Sequence, residues 1–297
     1  MSSAINVIGF IGVGVMGEPI CRHLATKSGL KVLAHDRDPA PLQRLAEHGV
    51  QTATANEISA QADIIFLSLP SGEIVEKVIM GNQDDSLLAK GRRGQLIVDL
   101  STSPVELSRR IAAELAKSGI RFADAPVMRT RAAAEAGTLA VPVGADDDIF
   151  TSIKPLLDTF ASDVTHVGGI GAGQVVKILN NMVLYETVLA LSEARAIGAR
   201  AGVDPDRLFS AMSTGSADSF ALRNHGMKAI APQNFPEKAF PVSYAKKDLL
   251  YAVGLAEQVG VDATGAKNLV ACFDQAIAAG HGDKYAPAIS LIFEQNK

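Results

Sequence analysis

The stretch NVIGFIGVGVMGEPI at residues 6–20, followed by KVLAHD at 31–36, decides the fold. A short β-branched run leads into Gly12, Gly14 and Gly17, and a helical pattern begins at Glu18. Gly12 permits a tight turn, Gly14 lets backbone amides approach a pyrophosphate, and Gly17 lets the helix pack closely on the strand. Asp36 ends the next strand-like run, 19 residues past Gly17. That is the spacing of a carboxylate that holds an adenosine ribose. Strand, glycines, helix and acid in register point to a dinucleotide-binding βαβ unit. A carboxylate at position 36 repels a 2′-phosphate and favours NAD, whereas Arg37 beside it can pair with that phosphate, so NADP use stays open. Flavin-binding proteins share the glycines but usually need more sheet than the second half of this chain offers.

The alternation continues outward from this unit. Strand-like runs recur at ADIIFLSL (62–69), GQLIVDL (94–100), RFADAPV (121–127), LAVPVG (139–144) and SDVTHVG (162–168), with helical patterns between them. Runs that are apolar on both faces, such as Ile64 to Leu69, suit central strands covered by helices on both sides. The fold class expected is α/β, a Rossmann-type, doubly wound, mostly parallel sheet. At GGIGAG (168–173) the strand signal stops. The expected organisation is therefore a dinucleotide-binding domain over 1–167 and an all-helical domain for substrate and oligomerisation over 168–297. Residues 174–201 read as a helix of about 40 Å, apolar nearly all round and therefore buried between domains or subunits. Asp204-Pro205 reads as the cap and first turn of the next helix.

With 297 residues, 47% hydrophobic and 20% charged, the chain can bury a sizeable core, which excludes disordered and fibrous classes. Its net charge of −4 shows no nucleic-acid footprint. Cys21 and Cys272 make no disulfide framework, and the six histidines lack metal-ligand spacing, so no metal is expected. The N-terminus lacks a basic start and cleavage site, and the apolar stretch from Gln174 is interrupted by charged and amide side chains. A cytoplasmic protein without membrane contact is the expectation.

Six segments carry a resemblance: GFIGVGVMGEPI (9–20), LSLPSG (67–72), DLST (99–102), DAPV (124–127), GAGQVVKILNN (171–181) and AKKDL (245–249). In this order and spacing the chain resembles the β-hydroxyacid dehydrogenases, a family that includes 3-hydroxyisobutyrate dehydrogenases, tartronate semialdehyde reductases and sulfolactaldehyde reductases. The resemblance implies an NAD(P)-dependent oxidoreductase with Lys177 as its catalytic lysine. Residue spacing agrees: Lys177, Asn180 and Asn181 share one helix face. A lysine near a helix N-terminus holds its proton less tightly, which suits a general acid and base. The expected chemistry pairs hydride transfer with a proton carried by Lys177, while Asn180 and Asn181 orient the substrate's oxygens. Further cofactor contacts implied by the resemblance are Met16, Leu69, Pro70, Ser101 and Thr102, with Phe240 and Lys247 closing over the nicotinamide end.

The loop after DAPV departs from the family. Many members have Ser-Gly-Gly there, and this chain has Met128, Arg129 and Thr130. The loop resembles the variant of sulfolactaldehyde reductases, in which Arg and Thr lie at the sulfonate, so Arg129 and Thr130 are expected to bind an anionic substrate group. Arg129 could instead face solvent or pair with one of Asp146 to Asp148. Within the family, 3-hydroxyisobutyrate or tartronate semialdehyde are alternative substrates. A short-chain dehydrogenase is excluded by the lack of Tyr-x-x-x-Lys, and Lys177 argues against an imine reductase. From another class, a non-catalytic NAD-binding regulatory or interaction protein would not need the Lys177–Asn180–Asn181 constellation. A homodimer or homotetramer with helical domains meeting is expected.

Overall fold

The computed structural model describes residues 5–81, 86–237 and 239–294. Among these residues eight strands form one sheet: β1 (Val7–Ile11), β2 (Lys31–His35), β3 (Gln51–Thr52), β4 (Ile64–Leu67), β5 (Leu96–Asp99), β6 (Arg121–Asp124), β7 (Leu139–Gly144) and β8 (Ala161–Gly168). Their order is β3-β2-β1-β4-β5-β6-β7-β8. Strands β1 to β6 run parallel, β7 is antiparallel to β6, and β8 is parallel to β7. The fold is the Rossmann-type, mostly parallel sheet expected. β3 escaped the sequence reading because it is two exposed polar residues with no apolar period.

The central strands have no polar face. Ile64 and Phe66 of β4 pack with Ile8, Phe10, Leu96 and Val98 on one side of the sheet, and Ile65 and Leu67 pack with Ile11 and Ile97 on the other. Ile20 and Leu24 of the helix Gly17–Lys27 cover the first side; Leu107, Ile111 and Leu115 of Val105–Lys117 cover the second. Phe10 and Phe66 stack with centroids 6.3 Å apart, and burying each such ring contributes about 1.5–3 kcal/mol. β1 has β2 on one side and β4 on the other, so the strand order reverses there. The crevice at the carboxyl ends of β1 and β4 is where open α/β sheets take their ligands.

The chain divides into two compact units, one through Lys177 and one from Ile178 onward. The division falls inside the helix Ala172–Arg200, ten residues beyond the boundary expected at 167/168, and the first turn of that helix is hydrogen-bonded to a strand end of the first unit. The second unit is helical. Tyr185, Val188 and Leu189 of the long helix meet Phe209, Leu222, Ile230, Leu249, Phe273 and Ile289 in its core. Asp204 caps the helix Pro205–Met212, its Oδ1 accepting from the Arg207 N–H at 3.1 Å. The long helix is apolar and long enough by composition to cross a bilayer, but its buried face belongs to this core. It also leaves Leu179, Val183 and Ile197 exposed, the last at 68%, so it is not covered all round.

Candidate active site

The residues singled out on the first half gather at the carboxyl ends of four adjacent strands. Gly12 follows β1, Asp36 and Arg37 follow β2, Leu69 and Pro70 follow β4, and Ser101 and Thr102 follow β5. Gly12 has φ +94°, and a Cβ on it would lie 2.3 Å from the Ser68 carbonyl oxygen. A Cβ on Gly17 would lie 2.0 Å from the Gly12 carbonyl oxygen, so the close packing of helix on turn demands glycine at both places. Gly14 differs: a Cβ there meets nothing within 4 Å. Met16 begins the helix without any side-chain cap on its amides. An open space before uncapped helical amides is what a pyrophosphate requires, and the residues present therefore fit a dinucleotide.

Asp36 has a further task. Its Oδ2 accepts from the Val13 N–H at 2.7 Å and its Oδ1 from the Asp38 N–H at 2.9 Å. The carboxylate thus ties the tip of the glycine turn to β2. Arg37 beside it is exposed.

A buried polar network joins this strand-end face to the long helix. Asp99 and Asp124 are register partners on β5 and β6. The Gly171 N–H donates to Asp124 Oδ1 at 2.6 Å and the Gln174 N–H to Oδ2 at 2.8 Å, so the carboxyl sits on the first turn of the helix that carries Lys177. Asp99 accepts from the Ser101 N–H and the Ser103 hydroxyl, both at 2.9 Å. Burial raises the Asp99 carboxyl to about 6 and the Asp124 carboxyl to about 7, against the pull of these donors. Ser101 Oγ accepts from the Leu69 N–H at 2.9 Å, which links the loops after β4 and β5. Glycines make the room: a Cβ on Gly144 would lie 2.5 Å from Asp124 Oδ1.

Lys177 follows Gln174 by three positions on the same helix, and Asn181 lies four further on. Asn181 is buried, its amide donating to Asp248 Oδ2 at 2.8 Å while its oxygen accepts from Asn180 at 3.2 Å. Asp248 also pairs with Lys247 Nζ at 3.1 Å. Lys247 lies 5.5 Å from the Tyr244 ring centroid, and Phe240 stacks on Tyr185 at 6.3 Å. The second unit therefore brings Asn180, Asn181 and Lys247 together through Asp248. That carboxylate stood in the AKKDL segment but had no role in the sequence reading, because only the fold sets it against Asn181.

The loop at 128–130 is tied to the protein itself. Arg129, expected to offer its fork to a substrate anion, donates from NH1 to the Thr138 carbonyl at 2.6 Å and to Ser162 Oγ at 2.8 Å, and from NH2 to Asp163 at 2.7 Å, and its side chain stays 40% exposed. The partner is thus Asp163 of β8, and none of Asp146 to Asp148. Arg129 has φ +82°, and from this left-handed backbone its side chain reaches the edge formed by β8. Thr130 Oγ1 caps the helix Arg131–Ala136, accepting from Ala133 N–H at 3.4 Å. Met128 is bridged to Ala140 of β7.

Residues 7–168 match the family described as the NAD binding domain of 6-phosphogluconate dehydrogenase, and residues 171–291 match the one described as NAD-binding of NADP-dependent 3-hydroxyisobutyrate dehydrogenase. The chain belongs to the β-hydroxyacid dehydrogenase family. Relatives in it include 2-(hydroxymethyl)glutarate dehydrogenase of Eubacterium barkeri, 34% identical with 97% of this chain and 95% of that protein covered. The 3-hydroxyisobutyrate dehydrogenase of Pseudomonas aeruginosa is also 34% identical, with 93% and 94% covered. The solved structure of Mycobacterium tuberculosis 3-hydroxyisobutyrate dehydrogenase with L-serine aligns with a TM-score of 0.86 at 29% identity, covering 97% and 99%. This β-hydroxyacid dehydrogenase is accordingly an NAD(P)-dependent oxidoreductase acting on CH–OH groups.

Proposed function

We propose that the enzyme interconverts a small 3-hydroxy acid of the form HOCH2–CHR–COO⁻ and its semialdehyde, with Lys177 as general acid and base. The observation that carries this reading is the placement of Lys177 one turn into a helix whose start is fastened to the dinucleotide-binding sheet by Asp124. The compounds named for the relatives, 2-(hydroxymethyl)glutarate, 3-hydroxyisobutyrate and L-serine, share a primary hydroxyl on the carbon next to the one bearing a carboxylate. A nicotinamide supplies the hydride acceptor when the cofactor is bound. In oxidation Lys177 Nζ removes the hydroxyl proton, and in reduction it returns a proton to the carbonyl oxygen. Asn180, exposed and hydrogen-bonded to Asn181, orients the substrate oxygens, while Asn181 and Asp248 hold it in place.

The engagement of Arg129 with Asp163 favours a carboxylate over a sulfonate substrate, so sulfolactaldehyde is the weaker reading. NAD is favoured by Asp36, with NADP supported by exposed Arg37. We also infer a cytoplasmic homodimer or homotetramer. Val183, Ala190 and Ile197 recur every seven residues as exposed positions on the long helix, a stripe suited to another helical unit.

The test is a screen of oxidation rates over 3-hydroxyisobutyrate, L-serine, 2-(hydroxymethyl)glutarate, glycerate and 2,3-dihydroxypropanesulfonate with NAD⁺ and NADP⁺. At least one carboxylate is expected to lead, and Lys177→Ala is expected to lose roughly 10²- to 10⁴-fold in its kcat. A sulfonate leading by tenfold, or a Lys177→Ala variant with most of its kcat, overturns the reading.

A further inference from the structure

We propose that Gln174 is a positioning residue, which sets the placement of Lys177 against the loop that carries Ser101 and Thr102. The inference rests on the role proposed for Lys177. Gln174 is fully buried, and its side-chain amide is used at both ends: Nε2 donates to the Ser101 carbonyl at 2.8 Å, and Oε1 accepts from the Ser103 N–H at 3.0 Å. Its amide orientation follows from chemistry, since a carbonyl can only accept and an N–H can only donate. The same loop accepts the Leu69 N–H on Ser101 Oγ. One amide therefore fastens the lysine helix to the loop after β5, and the Ser101 hydroxyl ties that loop in turn to the one after β4.

Two anchors act on the helix start, and they constrain different motions. Asp124 holds the N–H groups of Gly171 and Gln174 and fixes the helix along its axis. The Gln174 side chain reaches sideways to the loop after β5 and fixes rotation about that axis. Rotation matters for a lysine three positions further on: at about 6 Å from the axis, a turn of about 10° moves an atom by about 1 Å. A misplacement of about 1 Å costs on the order of 10²-fold in rate. No apolar residue, and no carboxylate, can make this bridge, because it needs a donor and an acceptor on one planar group of this length.

The experiment uses the full chain with Gln174→Met, which keeps length and shape and removes both hydrogen bonds, and Gln174→Glu, which keeps only the acceptor. With 3-hydroxyisobutyrate and NAD⁺, Gln174→Met is expected to lose about ten- to a hundred-fold in kcat, with NADH affinity by fluorescence within about threefold. The Gln174→Glu variant regains kcat relative to wild type as pH falls from about 9 to about 6, because the protonated acid can again donate to Ser101. A readout free of turnover is the titration of ¹³C-methylated Lys177, identified by its loss in Lys177→Arg and expected to move by about half a pH unit or more in Gln174→Met. Wild type inactive on every 3-hydroxy acid sinks the substrate assignment alone, and the Lys177 resonance still decides this one. An unmoved resonance, a kcat within about threefold of wild type, NADH affinity lost in step with kcat, or failure of both variants to fold each overturns the positioning role.

Discussion

The carboxylate of Asp36 accepts the backbone N–H of Val13 at 2.7 Å, so the acid that ends β2 also shapes the turn after β1. Replacing Asp36 by Ala removes this charge-assisted bond, worth about 1.5–3 kcal/mol, together with the repulsion of a 2′-phosphate. Affinity for both dinucleotides is expected to fall, NADH by about ten- to a hundred-fold and NADPH by less, since exposed Arg37 remains. Fluorescence titration of the two cofactors checks this. Equal losses would assign Asp36 to the turn alone.

Two glycines of the same motif are expected to respond oppositely. Gly12→Ala places a Cβ 2.3 Å from the Ser68 carbonyl at a φ of +94°, and a loss of stability above about 2 kcal/mol is expected. Gly14→Ala meets no protein atom within 4 Å, so thermal unfolding stays close to wild type while dinucleotide affinity drops by about tenfold or more. A Gly14→Ala protein that binds NADH normally would place the pyrophosphate elsewhere.

Asp124 gives stability a pH dependence of known sign. Its folded value, about 7, lies above the ordinary carboxylate range, so between about pH 4 and 7 the folded chain binds the extra proton and stability falls as pH rises, by up to about 1.4 kcal/mol per unit. Asp124→Asn, which cannot titrate, is expected to be less stable throughout because one acceptor for the helix amides is lost. Its deficit against wild type narrows from pH 5 to pH 8. Parallel denaturation curves across that range would mean that the carboxyl ionises at its usual value.

Arg129→Gly exchanges three hydrogen bonds to Thr138, Ser162 and Asp163 for relief of a left-handed backbone. Because the ion pair is exposed, it is worth at most about 1 kcal/mol, and the two changes nearly cancel. Stability and kcat/KM for a carboxylate substrate are expected within about threefold of wild type. A hundredfold loss confined to a sulfonate would return Arg129 to the substrate.

Much of the frame was legible because it follows from local patterns. Doubly apolar runs such as Ile64 to Leu67 suit central strands, and Gly12, Gly14 and Gly17 with Asp36 follow β1 and β2 as their spacing implied. What stayed hidden depends on distant partners. Gln174 reads as one more polar residue at a helix start until β5 brings Ser101 and Ser103 to it, and Asp248 reads as a surface acid until Asn181 covers it. The partners of Arg129 stayed hidden for the same reason: a guanidinium after DAPV carries no record of which way a positive φ turns it, nor of Asp163 waiting 34 residues later.

The sheet ends in two open edges, and neither offers a template on which a second sheet could grow. β3 is two residues long, too short to recruit a foreign strand. β8 is long enough, but it exposes Ser162, Asp163 and Thr165 to solvent, and a carboxylate on an edge opposes the approach of another backbone. The Arg129–Asp163 pair adds a colloidal obstacle of another kind: it lays a loop side chain against that edge, where an added strand would have to pair.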